Sequence, residues 1–422
     1  MPKDAPDEKK KKKKSDAPAA TPAYGLSPTL TRAKSCKYPT PLPRWLRFVA
    51  WTLALWVPAC FYLGPLLLVL PPFLYLWSPR AALALVAVDV LLATWPNREW
   101  PWFRGVFELW YELFDMHHNL IVDPTDPSAP VKMSDRMLNT LTILAMHPHG
   151  IIPIQGFLWP ALADQYMTRG QPLNPTGSPG LYGFGATTDA ALRLPLLRQV
   201  LRWLTAGSAH RDVLRKGLES GRNLYILPGG VAEIFVSEPG RHAVLARRHG
   251  LMKLALRTGA CVVPMYVFGG TDFYEHLATY NPNRGGSSGG GGGVASLVGP
   301  LLMRLSRGLK AGFTLFWGQF GLPMPFAVEK CCMVMGDPIA PVPDTAPPNG
   351  HPNGGGSGVG AAEAHAAHPW SLGGRKTCRP VPEPTDEQVE ELLGRYTDAL
   401  RRLFDQYKAQ AGCPDAQLEF VD

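Results

Sequence analysis

Leu141-Thr142-Ile143-Leu144-Ala145-Met146-His147-Pro148-His149-Gly150 is the stretch on which the reading of this chain turns. Leu141–Ala145 reads as a short buried strand, and a Pro/Gly turn then leads into apolar residues at Ile151-Ile152 and Phe157-Leu158. Such a turn mounts a side chain firmly, because Pro148 removes freedom and Gly150 admits a close approach or a positive φ. Two imidazoles at that point offer a base that titrates near neutrality. A His-x-His pair alone is equally compatible with satisfied core or surface histidines, so the rest of the chain must supply the context.

Outward from this stretch, strand-like runs alternate with helix-like ones. Tyr182–Phe184, Asn223–Leu227, Cys261–Phe268 and Cys331–Met335 join Leu141–Ala145 as predicted strands. Helices are predicted near Asp189–Leu204, Asp212–Ser220 and Ala243–Thr258. The alternation argues for an α/β domain around a buried sheet that is mixed and mostly parallel. Thr385-Asp386-Glu387-Gln388 is a capping-box pattern, and the helix it opens carries Val389, Leu392, Leu393, Tyr396, Leu400, Leu403, Phe404 and Tyr407 on one face. That stripe reads as core packing rather than a cofactor box.

The 422 residues suffice for two or three average domains or one large decorated domain. Residues 1–40 are polar and include consecutive lysines from Lys9 to Lys14, which supply much of the net charge of +8. They read as a disordered basic tail suited to an anionic cytosolic leaflet. No interleaved aromatic-basic pattern points to nucleic acid. Residues 41–96 form a predicted membrane hairpin. From Phe48 to Pro79 no residue is charged, a run longer than the roughly 20 residues that span a bilayer. Pro58, Pro65 and Pro71-Pro72 are expected to break it, and Ala81 to Trp95 is a second apolar segment. A single span is the other reading, but the hairpin keeps tail and catalytic region both in the cytosol. The catalytic domain is 97–422, with low-complexity insertions at 285–293 and 343–384 that hold much of the Gly and Pro, 43 of each. The 7 cysteines have no metal spacing and read as reduced thiols. The pair His117-His118 points its rings to different faces, so no metal is assigned there. Nor is one assigned to His351, His365 or His368.

Two further constellations follow. Ile226-Leu227-Pro228-Gly229-Gly230-Val231-Ala232-Glu233 repeats the strand, Pro/Gly turn and functional group of the first site. It reads either as an ordinary turn with an acid in the first helical turn, or as a carboxylate placed to hold an imidazole. Arg247-Arg248-His249-Gly250-Leu251-Met252-Lys253-Leu254-Ala255-Leu256-Arg257 has an apolar face and projecting cations, either a solvated basic face or a site for a phosphate-bearing donor. There is no P-loop, no dinucleotide fingerprint and no Gly-x-Ser-x-Gly elbow.

These blocks, with Val263-Pro264-Met265-Tyr266-Val267-Phe268-Gly269, Phe316-Trp317-Gly318-Gln319-Phe320-Gly321-Leu322-Pro323 and Gly336-Asp337-Pro338-Ile339, resemble the type-2 diacylglycerol acyltransferases and their monoacylglycerol and wax-alcohol relatives. The likeness runs from about Trp45 to the C-terminus outside the insertions. Where that family has Tyr-Phe-Pro, this chain reads Tyr111-Glu112-Leu113-Phe114-Asp115, and Phe73-Leu74-Tyr75-Leu76 meets the family's neutral-lipid pattern. The resemblance implies an integral membrane enzyme of the endoplasmic reticulum, also at lipid droplets, that moves an acyl group from acyl-CoA to diacylglycerol. It needs no cofactor beyond the acyl-CoA co-substrate, and a homo-oligomer is left open. On that basis His149 is the expected general base and His147 the runner-up. Glu233 steadies the imidazole, Pro148 shapes the turn, and backbone N–H groups at Gly150, Gly229 or Gly230 meet the oxyanion. Arg248 and Lys253 contact the CoA phosphates. The alternatives are a monoacylglycerol or long-chain-alcohol acceptor, a cysteine nucleophile at Cys261, Cys331 or Cys332, a silent lipid-droplet scaffold, and a metal-dependent hydrolase using His147 and His149.

Overall fold

The computed structural model describes residues 41–96, 100–114, 120–121, 140–166, 183–276, 331–342, 370–372 and 375–421, with most of 312–328 and single positions between 301 and 308. The tail with Lys9–Lys14, His117-His118, the tract at 285–293 and most of 343–384, with its three histidines, lie outside the described residues.

Helix α1 (Arg44–Tyr75) and helix α2 (Pro79–Thr94) form a helical hairpin around Leu76–Ser78. Ser78 caps α2 by accepting from the Ala81 N–H at 3.3 Å, with Pro79 just inside the helix. Contrary to the sequence expectation, α1 runs unbroken through Pro58, Pro65, Pro71 and Pro72. Each proline deletes one donor, but its fixed φ is compatible with helix, so the remaining ladder carries the segment on. At 32 residues, about 48 Å, it is, among the described residues, the one helix long and apolar enough to cross a membrane. Ala50, Ala54 and Val57 are buried against the body of the protein, and the Trp110 indole N–H donates to the Ala50 carbonyl at 3.2 Å. Phe73, Leu76, Trp77, Leu83 and Leu91 are exposed. The short helices α3 (Pro101–Val106) and α4 (Leu109–Leu113) bridge to the sheet domain.

Among the described residues the strands, in chain order, are β1 (Leu120–Ile121), β2 (Thr142–His147), β3 (Phe184–Thr187), β4 (Ala206–Ser208), β5 (Leu224–Ile226), β6 (Ala243–Val244), β7 (Cys261–Phe268), β8 (Glu275–His276), β9 (Phe316–Trp317), β10 (Cys332–Met335), β11 (Trp370–Leu372), β12 (Arg375–Thr377) and β13 (Glu419–Phe420). The later helices are α5 (Ile154–Tyr166), α6 (Leu197–Trp203), α7 (Arg211–Glu219), α8 (Gly230–Ile234), α9 (His249–Thr258) and α10 (Asp386–Tyr407). Seven strands form one sheet in the order β1-β10-β7-β2-β5-β3-β4. All neighbours are parallel except β10 and β7, so the fold is α/β with a mixed, mostly parallel sheet, as expected.

Strand β2 lies at the middle and separates two cores. Ile143 and Ala145 face the cluster under α9 and α10, whereas Leu144 and Met146 face the cluster under α1, α4 and α5. The capping box of α10 is present, and its predicted stripe is buried.

Three boundaries differ from the sequence reading. The stretch predicted as one helix over Asp189–Leu204 divides at Pro195 into a 3-10 turn (Ala191–Arg193) and α6. Pro195 cannot donate to the ladder, and Leu196 adopts φ 64°. The predicted helix Ala243–Thr258 starts only at His249. Ala243 and Val244 instead pair with Glu419 and Phe420, which buries an apolar run as strand. The strand predicted at Tyr182–Phe184 lies at Phe184–Thr187.

Candidate active site

Parallel neighbours deliver their C-terminal ends to one edge, the usual location for a site in such a sheet. β2 and β5 are adjacent, with Ala145 opposite Ile226. Two residues beyond Ala145 stands His147, and Pro228-Gly229-Gly230 follows β5 into α8, which carries Glu233. This register brings together residues 86 positions apart in sequence. Glu233 Oε1 lies 3.6 Å from His147 Nδ1, with both side chains fully buried.

His147 is the last residue of β2, two positions from Ala145, so its side chain emerges on the α10 face. There its Nε2 meets the Tyr396 hydroxyl at 2.9 Å. Burial and the nearby Glu233 push the Tyr396 phenol well above its ordinary range, which keeps the hydroxyl neutral. Tyr396 therefore engages Nε2 of His147, while Nδ1 faces the Glu233 carboxylate at 3.6 Å, beyond hydrogen-bond distance.

The chain then turns. The His147–Pro148 peptide is cis, and Gly150 has φ 68°. A Cβ at Gly150 would lie 2.7 Å from the Gly270 carbonyl oxygen, so the close approach expected of this glycine is real. Between them His149 is half-buried and lines a cavity of about 330 Å³ with Phe61, Tyr62, Ile151, Ile152 and Phe157. Its Nδ1 lies 2.8 Å from the Gly150 carbonyl oxygen. A carbonyl can only accept, so Nδ1 carries the hydrogen and Nε2 keeps its lone pair in the neutral ring. Burial lowers the His149 pKa below the ordinary histidine value, against a smaller upward pull from the Gly150 bond and Glu233.

The imidazole that Glu233 Oε1 approaches at 3.6 Å is that of His147, although α8 also borders the His149 cavity through Val231 and Ile234. The Gly230 N–H, a predicted oxyanion donor, is already bonded to the Leu227 carbonyl at 3.1 Å. The Gly229 N–H has no backbone partner among the described residues. Arg248 does not reach outward: its Nε and a terminal nitrogen each donate at 2.9 Å to the Pro228 and Gly229 carbonyls, clamping the turn. Lys253 pairs with Asp386 at 3.0 Å on the surface.

Three participants were not singled out from sequence. Tyr396 belongs to the predicted core stripe yet also bonds His147. Gln155, fully buried, donates to the Pro148 carbonyl and, at 3.2 Å, to the His149 carbonyl, so it fixes the turn backbone. Tyr62 of α1 donates to the Phe316 carbonyl at 2.5 Å and accepts from the Phe316 N–H at 2.8 Å. This contact pins the apolar hairpin against the cavity. The signal for the first two was a polar group inside an apolar run, since a buried polar atom needs a partner.

The cysteine alternative fares poorly. Cys261, Cys331 and Cys332 are buried away from the cavity, and burial pushes the Cys331 thiol up and that of Cys332 to about 12. Thiols held so far from ionisation are poor nucleophiles. Among the described residues no three His, Cys, Asp or Glu side chains converge to hold a metal ion.

Comparison with known proteins shows the family. The family model described as Diacylglycerol acyltransferase matches residues 127–351. The chain is 27% identical over 379 residues to Diacylglycerol O-acyltransferase 2-like protein 6 of Mus musculus, covering 85% of this chain and 91% of that protein. It is 26% identical over 296 residues to Diacylglycerol O-acyltransferase 2 of Bos taurus, covering 69% of this chain and 68% of the relative. The corresponding Homo sapiens protein is also 26% identical over 296 residues, with 69% and 63% covered. No solved structure matches the chain. With the matched segment spanning β2, the His147–Gly150 turn, Glu233 and α9, the chain belongs to the diacylglycerol acyltransferase family.

Proposed function

We propose that the protein transfers a fatty acyl group from acyl-CoA to the free hydroxyl of diacylglycerol, with Nε2 of His149 as the general base. One observation carries this reading: of the two imidazoles, only that of His149 presents a free lone pair to the apolar cavity. An alcohol is a weak nucleophile at neutral pH. Removing its proton during attack is worth roughly 10²–10⁴-fold. The hydroxyl oxygen bonds to the thioester carbonyl carbon, its proton passes to Nε2, and the carbon–sulfur bond breaks. The imidazolium then returns that proton to the CoA thiolate. The Gly150 and Gly229 N–H groups are the remaining backbone donors for the oxyanion. Glu233 acts at one remove, orienting His147 and favouring the imidazolium through space.

The surroundings support a lipid acceptor. Phe61, Tyr62 and Pro65 of α1 form one wall of the cavity, and the same hairpin exposes a broad apolar surface. Monomeric soluble proteins rarely leave such patches open. In this reading the hairpin sits in the endoplasmic reticulum membrane, and at lipid droplets, with the sheet domain on the cytosolic side. Diacylglycerol then enters, and triacylglycerol leaves, without crossing water.

Membranes containing the protein, given labelled oleoyl-CoA and diacylglycerol, monoacylglycerol or a long-chain alcohol in turn, are expected to label triacylglycerol most. Preferential labelling of another product would change the acceptor, and droplet targeting with no labelled product would leave a scaffold. The pH profile in the same assay has a definite sign. Because burial lowers the His149 pKa, the catalytic neutral form persists below the ordinary histidine range. Activity should hold through neutrality and fall with acid at a midpoint below pH 6.5. A midpoint above that value would contradict the assignment.

A further inference from the structure

One charged feature remains unused by this mechanism. Between α7 and α9 lies a groove of about 450 Å³ lined by Arg211, Asp212, Arg215, Gly250, Lys253 and Arg257. Arg215 is paired with Glu219 at 2.8 Å and Lys253 with Asp386 at 3.0 Å. The Asp212 carboxylate lies 3.6 Å from His210. The guanidinium groups of Arg211 and Arg257, both exposed, have no partner among the described residues. Two guanidinium groups without a partner on the walls of one groove favour an anion there, and their planar forks suit phosphate oxygens.

The groove is also close to the chemistry. Thr187 lines the catalytic cavity and pairs in register with Ser208 of the neighbouring strand. Arg211 follows Ser208 by three residues, so its backbone lies within about 15 Å of that cavity wall. On the other side Arg248 grips the Pro228 and Gly229 carbonyls, and Gly250, two residues on, lines the groove.

We infer that this groove, and Arg211 and Arg257 in particular, holds the nucleotide phosphates of the CoA moiety while the pantetheine arm carries the thioester to His149. The inference rests on the acyl-CoA reading above and locates the polar end of the donor. It moves the main phosphate contacts from Arg248, which is occupied by the turn, to the two unpaired arginines, with Lys253 at the rim.

The test uses the full chain in detergent micelles or membranes and compares oleoyl-CoA with oleoyl-N-acetylcysteamine thioester, a donor without phosphate. The double variant Arg211→Ala/Arg257→Ala should raise KM for oleoyl-CoA about tenfold and leave kcat unchanged. KM for the phosphate-free donor should not move. Calorimetric binding of the adenosine bisphosphate that forms the nucleotide end of CoA should be lost in the double variant. Arg211→Gln and Arg257→Gln alone should each give an intermediate shift, which keeps the test valid if the double variant is poorly folded. An unchanged KM for oleoyl-CoA, or an equal rise for both donors, would overturn the proposal. So would weaker binding to phosphatidylserine vesicles with an unchanged donor KM, which would assign the groove to a lipid headgroup. Failure of the wild type to transfer from either donor would refute the acyl-transfer reading, whereas the nucleotide titration reads the groove independently.

Discussion

Replacing His149 by alanine should lower kcat for acyl transfer about 10²–10⁴-fold, the contribution of a positioned general base, with the amount of folded protein unchanged. The ring is half-buried at the cavity wall, and among the described residues its hydrogen bond goes to the carbonyl of the next residue. Little of the fold depends on it. His147→Ala makes the opposite prediction for stability. It would strip the Tyr396 hydroxyl of its partner and leave Glu233 buried beside a void. A buried hydroxyl left without its partner costs about 1–3 kcal/mol. A thermal melt and an immunoblot run beside the transfer assay separate the two histidines: His149→Ala should lose turnover alone, and His147→Ala turnover and melting temperature together. Near-normal turnover in His149→Ala would remove it as the base.

The parts of this site that sequence made legible are those built from local pattern. Alternating apolar runs gave the strands, and Pro/Gly turns after Ala145 and Ile226 marked where functional groups leave the sheet. The capping box at Thr385–Gln388 located α10. Three-dimensional adjacency was not legible. Which histidine meets Glu233 depends on strand parity, because His147 falls on the Ala145 face and the turn carries His149 away from it. A boundary error of one residue reverses that assignment. The pairing of Tyr396 with His147 joins positions 249 apart and leaves no periodic trace beyond a tyrosine in an apolar stripe. The basic block at 247–257 was visible as charge, but its division of labour was not. Arg248 turns inward to backbone carbonyls, Lys253 pairs with Asp386, and Arg257 is left with the groove, a sorting set by helix phase and by residues on α10.

Gly229→Ala should cost about 10–100-fold in kcat, the range for losing a carboxylate that acts through a neighbouring side chain, and it should also lower the melting temperature. Glu233 lies four residues after Gly229, and side chains on a helix lean toward its N-terminus, so the carboxylate folds back over the glycine. A Cβ at position 229 would sit 1.3 Å from Glu233 Oε2 and 2.3 Å from its Cδ. The two cannot coexist, and the carboxylate, fully buried, must leave His147 or drag α8 with it. Gly230→Ala is the natural control. Its Cβ would meet nothing within 4 Å, although φ there is 54°. The expected penalty is backbone strain of about 1–3 kcal/mol with kcat largely kept. Glu233→Gln removes the charge and keeps the shape. If Gly229→Ala acts by evicting the same carboxylate, combining the two substitutions should cost less in kcat than the product of their separate effects. Full additivity, or wild-type turnover in Gly229→Ala, would mean that Glu233 does not assist transfer from beside His147.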